Sequence, residues 1–270
     1  MQPTNFPGEI ALGVGVFAAA GAAFYVGQSV FNMASTIRNR YLEVLPYTAN
    51  SEDGQVIVQQ NPIAYKDAKT ITPSDNERTG IEFAYSFYLL VNEGTFDNNG
   101  ADTLKSVFYK GNDNKPWPLL SPGVFVRNTK NTLRIVMGSF SNAYNYIDIE
   151  NIPIKKWFHV ILNYKNSALE IYVNGKLVNK MLFDDALPYN NYSNINIFSS
   201  AKMPISLPNN QSISFDGPIQ GKISNLIYTR YALSFTEIQQ LYNRGVSNMT
   251  KAEVNNEIPP YLADSWWVNQ

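Results

Sequence analysis

From Ile81 to Thr229 the chain is a succession of short apolar alternations separated by turn residues, with no amphipathic helical period between them. That pattern constrains the fold more than any other feature. Ile81, Phe83, Tyr85, Phe87 and Leu89 fall on one side of an extended segment, and Glu82, Ala84, Ser86 and Tyr88 on the other, which predicts a strand with one buried face. Shorter strands are predicted at Val56 to Val58, Ser106 to Tyr109, Gly123 to Arg127, Thr132 to Met137, Tyr146 to Ile149, Trp157 to Tyr164 and Ala168 to Val173. Others follow at Lys176 to Leu182, Ile195 to Phe198, Ile213 to Phe215 and Gly221 to Thr229. Asn174-Gly175, set between Leu169/Ile171/Val173 and Leu177, predicts a β-hairpin, because a two-residue type I′ turn needs positive φ at both central positions. Consecutive strands without crossover helices make an antiparallel two-sheet sandwich. One helix is predicted late: Ser234 and Glu237 form a capping box ahead of Ile238, Leu241 and Tyr242, and Gly245 closes it.

Ahead of this region lies an uncharged stretch from Ile10 to Ile37, followed directly by Arg38 and Arg40. Its densest part, Ile10 to Val26, would cover about 25 Å as a helix, close to the hydrocarbon thickness of a bilayer. The residues before it hold Glu9 and no basic residue, against a cleavable signal peptide. A helix apolar on every face would need a large protein interior around it to be a core helix. The expectation is a single-pass transmembrane anchor contacting lipid through Ile10, Leu12, Val14, Val16, Phe17, Phe24 and Val26. The arginines on its C-terminal flank place the large domain on the cytoplasmic side. The resulting organisation is an anchor over 1–40, a polar linker over 41–55, the sandwich over 56–245 and an extended tail over 246–270.

Composition narrows the chemistry. The balance of 21 basic and 22 acidic residues gives no reason to expect nucleic acid. There is no cysteine, and the only histidine is His159, so thiolate chemistry and multi-histidine metal sites are excluded. Asp184-Asp185 is the one adjacent acidic pair in the strand-rich part and reads as a solvated turn rather than a calcium site. No metal and no cofactor is expected. The sequons at Asn191, Asn210 and Asn248 would accept glycans only on a lumenal domain and are expected to stay bare.

The order Trp157-Phe158-His159-Val160, then Leu169 to Val178 around the Asn-Gly turn, then Gly221-Lys222-Ile223-Ser224-Asn225-Leu226 leading to Ala232-Leu233-Ser234, resembles the laminin G and pentraxin type of concanavalin A-like jelly roll. The pieces Glu82 to Phe87, Lys110-Gly111 and Ser121 to Val124 resemble the version found in virion proteins of large DNA viruses. That resemblance implies a membrane-anchored minor capsid component joining an internal membrane to the capsid shell, with lipid and other capsid proteins as partners. Trp157 and His159 then read as ordinary strand and core residues. Laminarinase-type relatives carry Glu, apolar, Asp, apolar, Glu on one strand. Here Tyr146-Ile147-Asp148-Ile149-Glu150 has Tyr where the attacking Glu belongs, so no enzyme activity is expected. The alternative is a membrane-tethered carbohydrate-binding module using Trp117, Tyr144, Tyr146, Tyr189 and Tyr192, with Tyr189 and Tyr192 as the named glycan contacts. Trp266-Trp267 at the tail would dock onto a neighbouring protein or back over the sandwich.

Overall fold

The computed structural model describes residues 15–16, 18–29, 41–74, 81–97, 102–113, 115–183, 187–189, 191–207, 212–251 and 254. The chain divides into two compact units, Met1–Tyr41 and Leu42–Gln270. In the first, residues 15–16 and 18–29 are helical, and Val16, Phe24 and Val26 are exposed. Among the described residues no helix is long and apolar enough to cross a membrane. The expected lipid contacts Ile10, Leu12, Val14 and Phe17 lie outside those residues, as do Asp184-Asp185 and Trp266-Trp267.

The second unit is a two-sheet β-sandwich. One sheet runs, in spatial order, β1 (Tyr41–Asn50), β14 (Gly221–Thr229), β3 (Phe83–Val91), β8 (Phe158–Lys165), β9 (Ala168–Val173) and β10 (Lys176–Leu182). The other runs β12 (Lys202–Ser206), β13 (Ser212–Pro218), β4 (Thr103–Lys110), β5 (Gly123–Arg127), β6 (Thr132–Met137) and β7 (Asn145–Glu150). Two short strands, β2 (Val56–Val58) and β11 (Ile195–Ile197), extend this sheet beside β4. Neighbours are antiparallel except β13 and β4, which pair in parallel. Phe87, Leu89, Val160, Leu162 and Ile171 from the first sheet meet Val107, Val124, Leu133, Ile135 and Ile197 from the second, all fully buried. Burying such side chains contributes roughly 1.5–3 kcal/mol each, which holds the two layers face to face.

The hairpin joining β9 to β10 forms as predicted, with Asn174 at φ 49° and Gly175 at φ 74°. The late helix, α1 (Phe235–Arg244), begins with the Ser234/Glu237 capping box and ends at Gly245, φ 76°. Its Ile238 and Leu241 are buried.

Four expectations are corrected. The stretch 41–55 is no loose linker: it contains β1 and a 3-10 turn at Ser51–Asp53, and Val44 and Leu45 belong to the core. Strand β12 was not foreseen. β3 is not half-buried, because Ala84, Ser86 and Tyr88 on its second face are covered too. Tyr88 accounts for that cover in part, donating its hydroxyl to the carbonyl of Leu241 at 3.1 Å in α1. Trp157 is not a core residue; it is half-buried and lines a surface groove with Tyr47, Leu90 and Lys222.

Candidate functional site

Alternation along β5, β6 and β7 decides which side chains face outward. Because Val124, Val126, Leu133, Ile135 and Ile149 enter the core, Phe125, Arg127, Arg134, Val136, Tyr146 and Asp148 stand on the outer face of the eight-stranded sheet. There Leu104, Tyr109, Leu120, Phe125, Val136, Tyr144 and Phe215 form a second buried apolar cluster. Its border is polar and open. Arg134 and Asp148 are directly opposite in register, and the guanidinium grips the carboxylate with two bonds, Nε to Oδ1 at 2.7 Å and Nη2 to Oδ2 at 2.6 Å. Such a fork is among the strongest side-chain contacts.

Tyr146, 45% exposed, lies under the Arg134 guanidinium, whose carbon is 4.1 Å from the ring centroid. Tyr144 packs 5.3 Å from Tyr146, and Trp117 meets Tyr144 edge-on at 5.8 Å. Arg127 continues the chain of charges, reaching Asp148 at 3.6 Å and pairing with Asp102. Burial opposes ionisation of Asp102, but the bonds from Arg127 and Thr129 prevail and hold its carboxyl below the ordinary range. Burial likewise works against the Arg134 charge, and the Asp148 bond followed by Tyr144 outweighs it, raising the guanidinium above its usual value. Two cations and two anions therefore alternate without surplus charge. The arrangement can hydrogen-bond and stack, with each Asp148 oxygen accepting one bond from Arg134.

The sequence had singled out five aromatic residues, and ring contacts link three of them here. Tyr189 is engaged by the fold, its hydroxyl donating to the carbonyl of Pro118 at 2.6 Å and its ring filling the space where Gly138 lacks a side chain. Tyr192 is 83% exposed. Its loop is pinned by Lys110, 1% exposed, whose ammonium donates to Asn191 Oδ1 at 3.2 Å, to the Ser193 carbonyl at 3.1 Å and to the Asn191 carbonyl. Burial lowers the Lys110 amine to about 8. Asn191 Nδ2 in turn donates to the carbonyls of Lys110 at 3.1 Å and Leu119 at 3.0 Å. The amide of this sequon is thus occupied by the fold.

His159 is buried on β8 and shares a 2.8 Å hydrogen bond between Nε2 and Ser86 Oγ. Its Nδ1 has no partner among the described residues, so the histidine is only half satisfied, and burial lowers it to about 4. Among the described residues no group of three or more acidic or histidine side chains is placed to hold a metal. Sequence reading missed Arg127 and Arg134. The available signal was a single arginine at the outward position of each of two otherwise apolar strands, Gly123–Arg127 and Thr132–Met137.

No family model and no curated protein matches the chain. Among solved structures it is similar to the receptor binding domain of botulinum neurotoxin D, at 14% identity and TM-score 0.48 over 73% of this chain and 43% of that one. It is similar to the binding domain of botulinum neurotoxin DC in complex with SialylT, at 19% identity and TM-score 0.48 over 73% and 42%. It is also similar to the binding domain of Paraclostridial Mosquitocidal Protein 1, at 16% identity and TM-score 0.47 over 73% and 42%. The chain spans about two fifths of the length of these structures. The sandwich architecture stands on this chain's own strand pairing.

Proposed function

We propose that the sandwich is a non-enzymatic carbohydrate-binding module and that the N-terminal apolar segment tethers it to a membrane. The observation that carries the reading is the outer face of β6 and β7: an exposed Tyr146 ring backed by Arg134, with Tyr144, Trp117 and the Arg134–Asp148 fork beside it. Sugar recognition needs an aromatic surface for the C–H face of a pyranose and fixed polar groups for its hydroxyls. Asp148, Arg134 and Arg127 are held rigidly enough to supply the second without ordering cost at binding. Tyr146 leads this reading; Tyr189 has its hydroxyl bonded to Pro118, and the exposed Tyr192 stays a candidate contact on the loop that Asn191 bonds to Leu119.

A glycan array probed with the full-length chain in detergent tests this reading. Binding should fall at least tenfold in Tyr146→Ala, with the far-ultraviolet circular dichroism unchanged. An array without a reproducible hit, or a hit indifferent to Tyr146→Ala, refutes it.

The membrane-anchored virion role is a second reading, favoured by the exposed apolar residues Val16, Phe24, Tyr25 and Val26 in the helical segment. In that setting the domain would sit on the cytoplasmic, capsid-facing side and serve as a link between lipid and shell. Membrane fractionation with and without residues 1–36 checks the tether: a full-length chain that stays in the soluble fraction removes it.

A further inference from the structure

A second site lies inside the sandwich, away from the Tyr146 face. A cavity of about 240 Å³ opens between the two sheets where Phe83, Tyr85 and Tyr228 of the first approach Ser121, Pro188 and Tyr189 from the loops of the second. An apolar cavity of about 150 Å³ is enough for benzene, so this one has room for two fused rings. Its walls are aromatic: Tyr85 and Tyr228 stand with ring centroids 5.0 Å apart, and Phe83 meets Tyr85 edge-on at 6.0 Å.

The polar atoms around it are nearly all committed. Tyr228 donates to the Thr72 carbonyl at 2.8 Å, Tyr189 to the Pro118 carbonyl at 2.6 Å, and Ser121 to the Tyr189 carbonyl. Tyr85 is the exception. It lines the cavity with its hydroxyl left accessible there and bonded to no described residue. An accessible hydroxyl in an otherwise apolar wall offers a guest one directional hydrogen bond. Among the described residues, none in the lining carries a charge at neutral pH, which favours an uncharged guest.

We propose that this cavity binds a compact, uncharged organic molecule of about two fused rings, held by aromatic contact on both faces and by one hydrogen bond from the Tyr85 hydroxyl to a carbonyl or ether oxygen. Coumarin and naphthalene are suitable probes, because they share a shape and differ in the carbonyl. Ligand-observed NMR on the full-length chain should show saturable binding of both, with coumarin the tighter. Tyr85→Phe keeps the ring and removes only the hydroxyl; it should weaken coumarin about tenfold and leave naphthalene unchanged. Ile81→Trp, at the half-buried rim, should block both probes, and its thermal unfolding midpoint confirms that the variant is folded. Absence of saturable binding by either probe, or undiminished binding in folded Ile81→Trp, overturns the site. Equal coumarin affinity in the native chain and Tyr85→Phe overturns the hydrogen bond.

Discussion

Acid should weaken this fold through one residue, His159. The imidazole lies between β8 and α1, 4.5 Å from the Tyr88 ring and 6.0 Å from that of Tyr242, with Nδ1 unpaired. Burial lowers its pKa from 6.5 to about 4. In the unfolded chain the same group takes a proton near its ordinary value, so between these two pH values the unfolded state binds more protons and stability falls as pH falls. At about 1.4 kcal/mol per pH unit, the loss from this group reaches about 3 kcal/mol at pH 4 relative to pH 7.5. The contribution is complete above pH 6.5 and the penalty saturates below pH 4. Urea unfolding of the native chain and of His159→Gln, followed by circular dichroism at both pH values, isolates the effect. Glutamine can still bond Ser86 but cannot titrate, so carboxylate protonation is common to both proteins and cancels. The native chain should lose about 3 kcal/mol more than the variant; equal losses would refute the argument that the imidazole is held neutral by burial.

Two other outcomes are expected. Gly175→Val should lower stability by about 1–2 kcal/mol in the same urea assay, because position 175 has φ 74° and an added Cβ would stand 2.8 Å from the Gln239 amide. If the chain is expressed through a secretory route, mass spectrometry should find glycan at Asn248, which is exposed, and none at Asn191, whose side-chain amide is bonded to two carbonyls.

The strand at Ala168–Val173 was legible in the sequence because the alternation of Leu169, Ile171 and Val173 and the Asn174-Gly175 turn agreed there. Both unforeseen strands contain a proline, Pro46 in β1 and Pro204 in β12. Each lies at the end of its sheet, where a missing N–H need not break a ladder, so the residue that argued against a strand instead marks an edge. The second face of β3 was misread for a different reason. Ser86, Tyr88 and, on β8, His159 and Asn163 look like solvent-facing residues, but α1 and its leader cover them, and Asn163 donates to the Leu233 carbonyl at 3.2 Å. A local pattern registers polarity and not the arrival of a helix some seventy residues later. The candidate site was half legible: Tyr146 and Asp148 were noted for what the hydrolase motif lacks, while the arginines that complete the face came from strands whose register only the folded sheet defines.

The neighbour of β1 is β14. Thr48 bonds Ser224 across 176 positions of sequence, so the opening strand of the sandwich has no hydrogen-bonded mate until nearly the whole domain has left the ribosome. Long-range closure of this kind slows folding and leaves early strands uncovered. Until Gly221–Thr229 has been synthesised β1 lacks its sheet neighbour, so a nascent domain stopped short of that strand should stay open to protease.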